Sequence, residues 1–184
     1  MMRIITGKAK GVRLDSLPGD STRPTMERTK EAVFSSLQYQ IQGCSVLDLF
    51  AGSGQMGLEA LSRGAAKADF VDCSEDACGI VRRNLEKTKL SGGFVYRSDW
   101  KAFLYGAGRR YDLVYLDPPF SMHIIRDILH TLLDYDSLNP GAYVVCETDY
   151  DNLFEGDAEL EERFDVKKSA HYSFCRLFIL QRRE

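Results

Sequence analysis

The stretch Val46-Leu47-Asp48-Leu49-Phe50-Ala51-Gly52-Ser53-Gly54-Gln55-Met56-Gly57 reads as a buried strand that breaks at a glycine turn and continues as a helix. Its apolar residues run almost without interruption, as in strands covered on both faces. Glycines 52, 54 and 57 form G-x-G-x-x-G, which lets the chain turn sharply and lets a ligand approach main-chain amides at a helix N-terminus. Twenty positions after Gly52 a second apolar run ends in Asp72, where a carboxylate can accept hydrogen bonds from both hydroxyls of a ribose. The pattern predicts a nucleoside-binding loop formed by Phe50, Ala51, Gly52, Gly54, Asp72 and Cys73.

Working outward, short apolar runs alternate with helical patterns. Val46–Phe50, Ala68–Val71, Phe94–Arg97, Leu113–Leu116 and Ala142–Glu147 read as strands. Helices are expected over about Met56–Arg63, closed by Gly64, over Glu75–Lys89, and near His123–Leu133 ahead of the turn signal Asn139-Pro140-Gly141. This rhythm implies an α/β fold with a mostly parallel sheet covered by helices on both faces. Phe164–Ala170 and Tyr172–Leu180 leave no room for a crossover helix, so they should pair as an antiparallel hairpin. The acidic stretch Glu155–Glu162 reads as a solvated helix face. The opening segment, with Gly7, Gly11, Pro18 and Gly19, reads as a β-hairpin and loop. A helix follows over about Met26–Tyr39, its stripe of Ala32, Val33, Leu37 and Ile41 seeking a partner on the main domain. The expected division is residues 1–42 as a hairpin and packing helix and residues 43–184 as the catalytic domain.

The 184 residues suffice for one substantial core, and 44% hydrophobic with 28% charged residues is ordinary globular composition. No apolar run reaches the roughly 18 residues of a membrane-spanning helix, and no apolar targeting segment opens the chain, so a cytoplasmic location is expected. The five cysteines are scattered, with no C-x-x-C pair, and the three histidines show no ligand spacing, so neither a disulfide framework nor a metal site is expected. Cys146 reads as a core thiol. A net charge of -3 argues against non-specific coating of nucleic acid, yet residues 1–30 carry +4 and the remainder -7. A basic arm on an acidic body suggests a local phosphate contact through Arg3, Lys8, Lys10, Arg13 and Arg23; a solvated surface hairpin accounts for the charge equally well.

The glycine loop alone does not choose between nicotinamide dinucleotides and S-adenosylmethionine. Asp48, four residues before Gly52, favours the latter by offering a carboxylate to a cationic amino-acid tail; capping the local loop is its alternative role. Ser98-Asp99 follows the third strand, where the acid can accept from an adenine amine or simply cap a turn.

The most informative motif is Asp117-Pro118-Pro119-Phe120, at the C-terminal end of the fourth strand, the edge where open α/β sheets bind ligands. Consecutive prolines end the strand and remove two backbone donors. Asp117 then offers side-chain acceptors, the Pro118 carbonyl another, and Phe120 a flat apolar platform. This suits an exocyclic amine on an aromatic base, whose lone pair is delocalised into the ring. Accepting both N–H bonds draws the nitrogen towards tetrahedral geometry and frees the lone pair for a methyl group. The sulfonium is already a good leaving group, so positioning carries most of the catalysis. Stacking on an aromatic ring, worth about 1–3 kcal/mol per base, can offset much of the unstacking cost.

These residues resemble the RsmD-type bacterial ribosomal RNA guanine-N2 methyltransferases across nearly the whole chain. The matching pieces are Met2-Arg3-Ile4-Ile5-x-Gly7-x-x-x-Gly11, Thr22-Arg23-Pro24-Thr25 with Arg28 and Glu31-Ala32-Val33-Phe34, the glycine loop, Gly57-Leu58-Glu59-Ala60-Leu61-Ser62-Arg63-Gly64-Ala65, and Asp117-Pro118-Pro119-Phe120. The resemblance implies a seven-stranded class I methyltransferase fold with a small N-terminal extension. It implies S-adenosylmethionine as cofactor, held at Asp48, Gly52, Gly54, Asp72 and Asp99, and a target amine at Asp117, Pro118 and Phe120. It also implies 16S ribosomal RNA, free or in a partly assembled small subunit, as the partner of the basic arm; a monomer is expected. Asp72 stands where many relatives have glutamate, and Ala170-His171-Tyr172-Ser173-Phe174 lacks a Tyr-Gly turn often found there.

Two other amino-directed substrates, adenine N6 and protein glutamine, present the same planar conjugated nitrogen, and spacing does not separate them from guanine. A nicotinamide oxidoreductase would leave Asp117-Pro118-Pro119-Phe120 without a role. A non-catalytic RNA-binding module would leave the cofactor loop unexplained.

Overall fold

A computed structural model describes residues 2–17, 24–172 and 175–184. The chain forms α1 (Pro24–Ser36), β1 (Ser45–Asp48), α2 (Gln55–Ser62), β2 (Lys67–Asp72), α3 (Glu75–Thr88), β3 (Gly93–Arg97), α4 (Trp100–Ala107), β4 (Tyr111–Leu116), α5 (Ile125–Asp134), β5 (Leu138–Thr148), α6 (Ala158–Arg163), β6 (Phe164–Tyr172) and β7 (Cys175–Arg182). The seven strands lie in the order β3-β2-β1-β4-β5-β7-β6. β1 to β5 are parallel, and β7 is antiparallel to both β5 and β6. This is the seven-stranded mixed sheet that the resemblance implied, with the expected C-terminal hairpin.

Alternation along the strands sorts two cores, one on each face. Val46, Ala68, Phe70 and Leu113 pack with Phe34 and Leu37 of the N-terminal region and with Leu58, Leu61 and Val81 of α2 and α3. Leu47, Leu49, Val71 and Val114 pack against Trp100, Phe103 and Leu104 of α4 and Ile128, Leu129 and Leu132 of α5. Both faces of the central strands are therefore dry, which is why their sequences lack polar alternation. Cys146 is fully buried in the second core. No helix among the described residues is long and apolar enough to cross a membrane.

Three local features differ from the sequence reading. Helix α4 was not expected; Asp99 caps it by accepting from the Lys101 N–H at 2.9 Å, and Trp100, Phe103 and Leu104 give it a buried stripe. Asn139-Pro140-Gly141 lies inside β5 rather than before it, at an irregularity in the pairing with β4 between Tyr111 and Leu113. Proline is tolerated there because the register to β4 slips and β7 pairs with β5 only from Tyr143 onward. The opening hairpin forms one isolated bridge, Arg3 to Arg13, rather than two strands. Met2, Ile4 and Leu14 are buried in the first core, so residues of the 1–42 extension share a core with the main sheet.

That docking explains the Gly57–Gly64 motif. The Glu59 carboxylate is fully buried and accepts from the Ile5 N–H at 2.8 Å, the Thr6 N–H at 3.0 Å and Arg63 Nε at 2.7 Å. Lys30 Nζ, also buried, lies 4.0 Å from Glu59 and donates to the Arg3 carbonyl at 2.7 Å. Ser62 Oγ donates to the Thr6 carbonyl at 2.6 Å and accepts from the Ala9 N–H at 3.0 Å. At Gly7, φ is 91° and a Cβ would stand 1.8 Å from the Ser62 carbonyl, so only glycine fits.

Candidate active site

β1 ends at Asp48, and the turn that follows is closed by a Gly54 N–H to Ala51 carbonyl bond of 2.7 Å. Gly52 and Gly54 sit in the left-handed region at φ 53° and 76°. Gly54 and Gly57 have a second reason to be glycine. A Cβ on either would meet Phe70, at 3.2 Å and 2.3 Å respectively, so helix and sheet pack through these positions. A Cβ on Gly52 would meet no protein atom within 4 Å.

The Asp72 carboxylate braces this turn. One oxygen accepts from the Gly52 N–H at 3.0 Å and the other from the Ser74 N–H at 2.9 Å. Asp72 is only half-buried, and it opens onto a cleft of about 280 Å³ at the C-terminal edge of the strands. Leu49, Phe50, Trp100 and Met122 give the cleft its apolar walls, and Cys73 and Ser98 lie between them. Asp72, Asp99 and Asp117 supply three carboxylates, with no lysine or arginine among the described lining residues. The cleft thus favours a ligand with an apolar ring, hydroxyl or amine donors, and positive charge.

Seven of the residues expected at the cofactor or the target amine, Phe50, Asp72, Cys73, Ser98, Asp99, Asp117 and Pro119, line this one cleft. Pro118 is buried behind it, and Phe120 opens the short 3₁₀ turn Phe120–Met122, half-buried outside the walls. Ala51, Gly52 and Gly54 form the turn beside the cleft rather than its lining. Asp48 is placed differently from the cationic-tail reading: it is 2% exposed, and its carboxylate accepts from the Gly57 N–H at 3.0 Å. Burial above all, and the nearby Asp72 charge, push its carboxyl up to about 7 against the pull of the Gly57 bond. That bond anchors the start of α2 beneath the turn.

The basic arm is spread out. Arg3 and Arg13 face solvent on the outer side of their bridge, with Arg3 3.9 Å from Glu27. Lys8 and Lys10 are exposed at the hairpin tip, which docks on Ser62 at the C-terminal end of α2, with the Lys8 N–H 2.8 Å from the Ser62 carbonyl. That is the end of the sheet opposite Asp117. A wider depression of about 710 Å³ beside Lys8 and Lys89 lies at the same far end and carries none of the residues expected at the cofactor or the target amine. Arg23 lies outside the described residues.

Trp100, Leu49 and Met122 were not singled out from the sequence. Trp100 could have been found, because Asp99 is a strong helix cap directly before an i, i+3, i+4 apolar stripe. Met122 could not, since only the turn after Pro119 brings it to the cleft.

The family model described as conserved hypothetical protein 95 matches residues 2–176. Ribosomal RNA small subunit methyltransferase D of Haemophilus influenzae is 34% identical over 154 residues, covering 82% of this chain and 80% of that protein. The Escherichia coli protein of the same name is 33% identical over 151 residues, covering 82% and 76%. Among solved structures, Escherichia coli yhhF superposes with a TM-score of 0.87 at 28% identity, covering 99% of this chain and 98% of that one. The chain belongs to the conserved hypothetical protein 95 family, the family of ribosomal RNA small subunit methyltransferase D.

Proposed function

We propose that the protein uses S-adenosylmethionine to methylate the exocyclic N2 amine of a specific guanine in 16S ribosomal RNA. The observation that carries this reading is one cleft, beside the glycine turn, that brings Asp117 and Pro119 together with the carboxylates of Asp72 and Asp99. A dinucleotide would bring its pyrophosphate against those carboxylates without a cation to meet it, whereas a sulfonium ligand suits them. The names of the relatives supply the RNA.

The residues present fit the cofactor. Asp72 keeps lone pairs for the ribose hydroxyls beyond those given to Gly52 and Ser74, Asp99 faces the adenine amine, and Phe50 and Trp100 offer apolar walls to the ring. Asp48 acts from beneath by holding the turn in shape. When bound, the cofactor supplies a methyl group on an excellent leaving group.

Asp117 and the Pro118 carbonyl accept the two N–H bonds of the target amine and turn its lone pair out of the ring plane. Phe120 supports the base by stacking, after the turn beyond Pro119 adjusts to receive it. The proton released on methylation passes to Asp117 or to water, so Asp117 need not be a strong base. Arg3 and Arg13 contact RNA phosphates beside their bridge, and Lys8 and Lys10 do so at the far end, so one substrate extends along α2; Arg23 is proposed as a further phosphate contact from its charge alone. A partly assembled subunit supplies such an extended surface better than a short stem.

The test is methyl transfer from labelled S-adenosylmethionine to 16S RNA and to small-subunit particles from a strain lacking the gene, followed by nucleoside analysis. N2-methylguanosine is expected, with Asp117→Ala and Phe120→Ala each lowering the rate about 100-fold or more. N6-methyladenosine in its place, or equal rates for the variants and the parent, would refute the reading.

A further inference from the structure

Beside Asp117 the sheet carries a second carboxylate that the methyl-transfer reading leaves without a task. β4 and β5 are parallel, with Leu116 paired to Cys146, so Asp117, which lines the cleft, and Glu147 follow as neighbours at the C-terminal ends of the two strands. Adjacent strands lie about 4.8 Å apart, and alternate residues share a face. Tyr115 and Asp117 thus share one face of β4, and Val145 and Glu147 the matching face of β5.

Glu147 is held at both oxygens. The buried Tyr115 hydroxyl donates to one, and the Cys175 thiol of β7 lies 3.7 Å from the other. Tyr115 and Cys175 also lie in the field of Asp117: burial first, then the two acids, raise the phenol well above its usual range and push the thiol up to about 12. The four groups therefore form one cluster. Burial raises the Glu147 carboxyl, while the bonds from Tyr115 and Cys175 pull it back down. Glu147 is only half-buried, and each of its oxygens has a lone pair to spare.

Two carboxylates on neighbouring strand ends present adjacent acceptors, and a base edge with two adjacent donors complements them. Guanine presents N1–H beside its N2 amine, whereas adenine presents an N1 acceptor beside its N6 amine. Resting on the guanine reading above, we infer that Glu147 is a specificity-determining residue: its carboxylate accepts the guanine N1–H while Asp117 holds the adjacent N2 amine. An adenine, or any base with an N1 lone pair, meets like charge at that point. Tyr115 and Cys175 fix the orientation of the acid and do not touch the base.

The test uses a ligated small-subunit RNA carrying either guanine or 2-aminopurine at the position whose mark is lost on gene deletion. 2-Aminopurine keeps the N2 amine but has an N1 acceptor. The parent protein should favour guanine in kcat/KM by about 100-fold or more, since leaving a buried polar group unpaired is strongly penalised. Glu147→Gln can turn an amide N–H towards N1, so it should lose about tenfold or more on guanine and narrow the preference by a similar factor. A variant that slows both substrates equally, leaving the preference unchanged, would show a purely structural role and overturn the inference. If Glu147→Gln folds poorly, the parent decides alone, because equal rates on the two bases overturn it. A parent that methylates neither base sinks the functional reading instead.

Discussion

Alanine at Gly52 and alanine at Gly57 should separate ligand approach from packing within one loop. Gly52 has φ 53°, and an added Cβ meets nothing within 4 Å. The cost in the folded state is left-handed backbone strain of about 1–2 kcal/mol. The stiffer unfolded chain offsets about 0.4–1 kcal/mol of it. A net loss of about 0.5–1 kcal/mol should lower the melting temperature by only ~1–4 °C. Gly57 is helical and carries no strain, but its Cβ would stand 2.3 Å from Phe70 Cε1, with two further ring atoms at 2.8 and 3.1 Å. Phe70 is fully buried and also lies 3.2 Å from the Gly54 Cβ position, so the ring has little room to yield. Overpacking of about 3 kcal/mol, less about 1 kcal/mol for the better helix former, leaves a net loss near 2 kcal/mol.

Urea unfolding of the unliganded proteins and titration with S-adenosylmethionine give the two readouts. Gly52→Ala should be nearly as stable as the parent yet bind the cofactor at least about tenfold more weakly, the equivalent of about 1.4 kcal/mol. Gly57→Ala should be clearly less stable, bind with near-parental affinity while folded, and recover stability when combined with Phe70→Leu. Parental affinity in Gly52→Ala would mean that no ligand comes close to this turn, and the cofactor assignment would fall with it. A larger stability loss at Gly52 than at Gly57 would refute the packing argument.

Two further outcomes follow from buried charge. Glu59→Ala removes the acceptor of two arm amides and leaves Lys30 buried without its counter-charge, so a loss of about 3–5 kcal/mol is expected by denaturant unfolding, with protease cleavage near residue 6; an unchanged midpoint would contradict the latch. Asp48 is an acid whose folded carboxyl is raised to about 7 from 3.8, so its protonated form favours folding: that contribution is full below about pH 4 and is lost as pH rises through 7. Asp48→Asn keeps an acceptor for the Gly57 N–H and should therefore gain in stability relative to the parent between pH 5 and 8, and a difference independent of pH would refute the assignment.

The βα alternation, the glycine turn and Asp117-Pro118-Pro119-Phe120 were legible because each depends on local rules. Unbroken apolar runs mark strands covered on both faces, glycines mark left-handed turns, and prolines mark a strand end. Helix α4 was missed because its stripe is short and interrupted by Tyr105-Gly106, so the pattern fades before it completes two turns. The hairpin was overread, because alternating apolar residues describe a face but not whether a partner completes the ladder.

The sequence by itself determined the class of sheet, the edge that carries the candidate cleft and most residues of that cleft, since these follow from period, turn chemistry and spacing along one chain. Only the tertiary structure decided that Asp48 accepts from the Gly57 N–H, that Glu59 and Ser62 hold the arm, that Lys8 lies at the end away from Asp117, and that Glu147 stands beside Asp117. Each of those depends on which distant segments meet. A buried carboxylate takes its role from the donors that reach it, and sequence spacing does not specify donors that arrive from another strand.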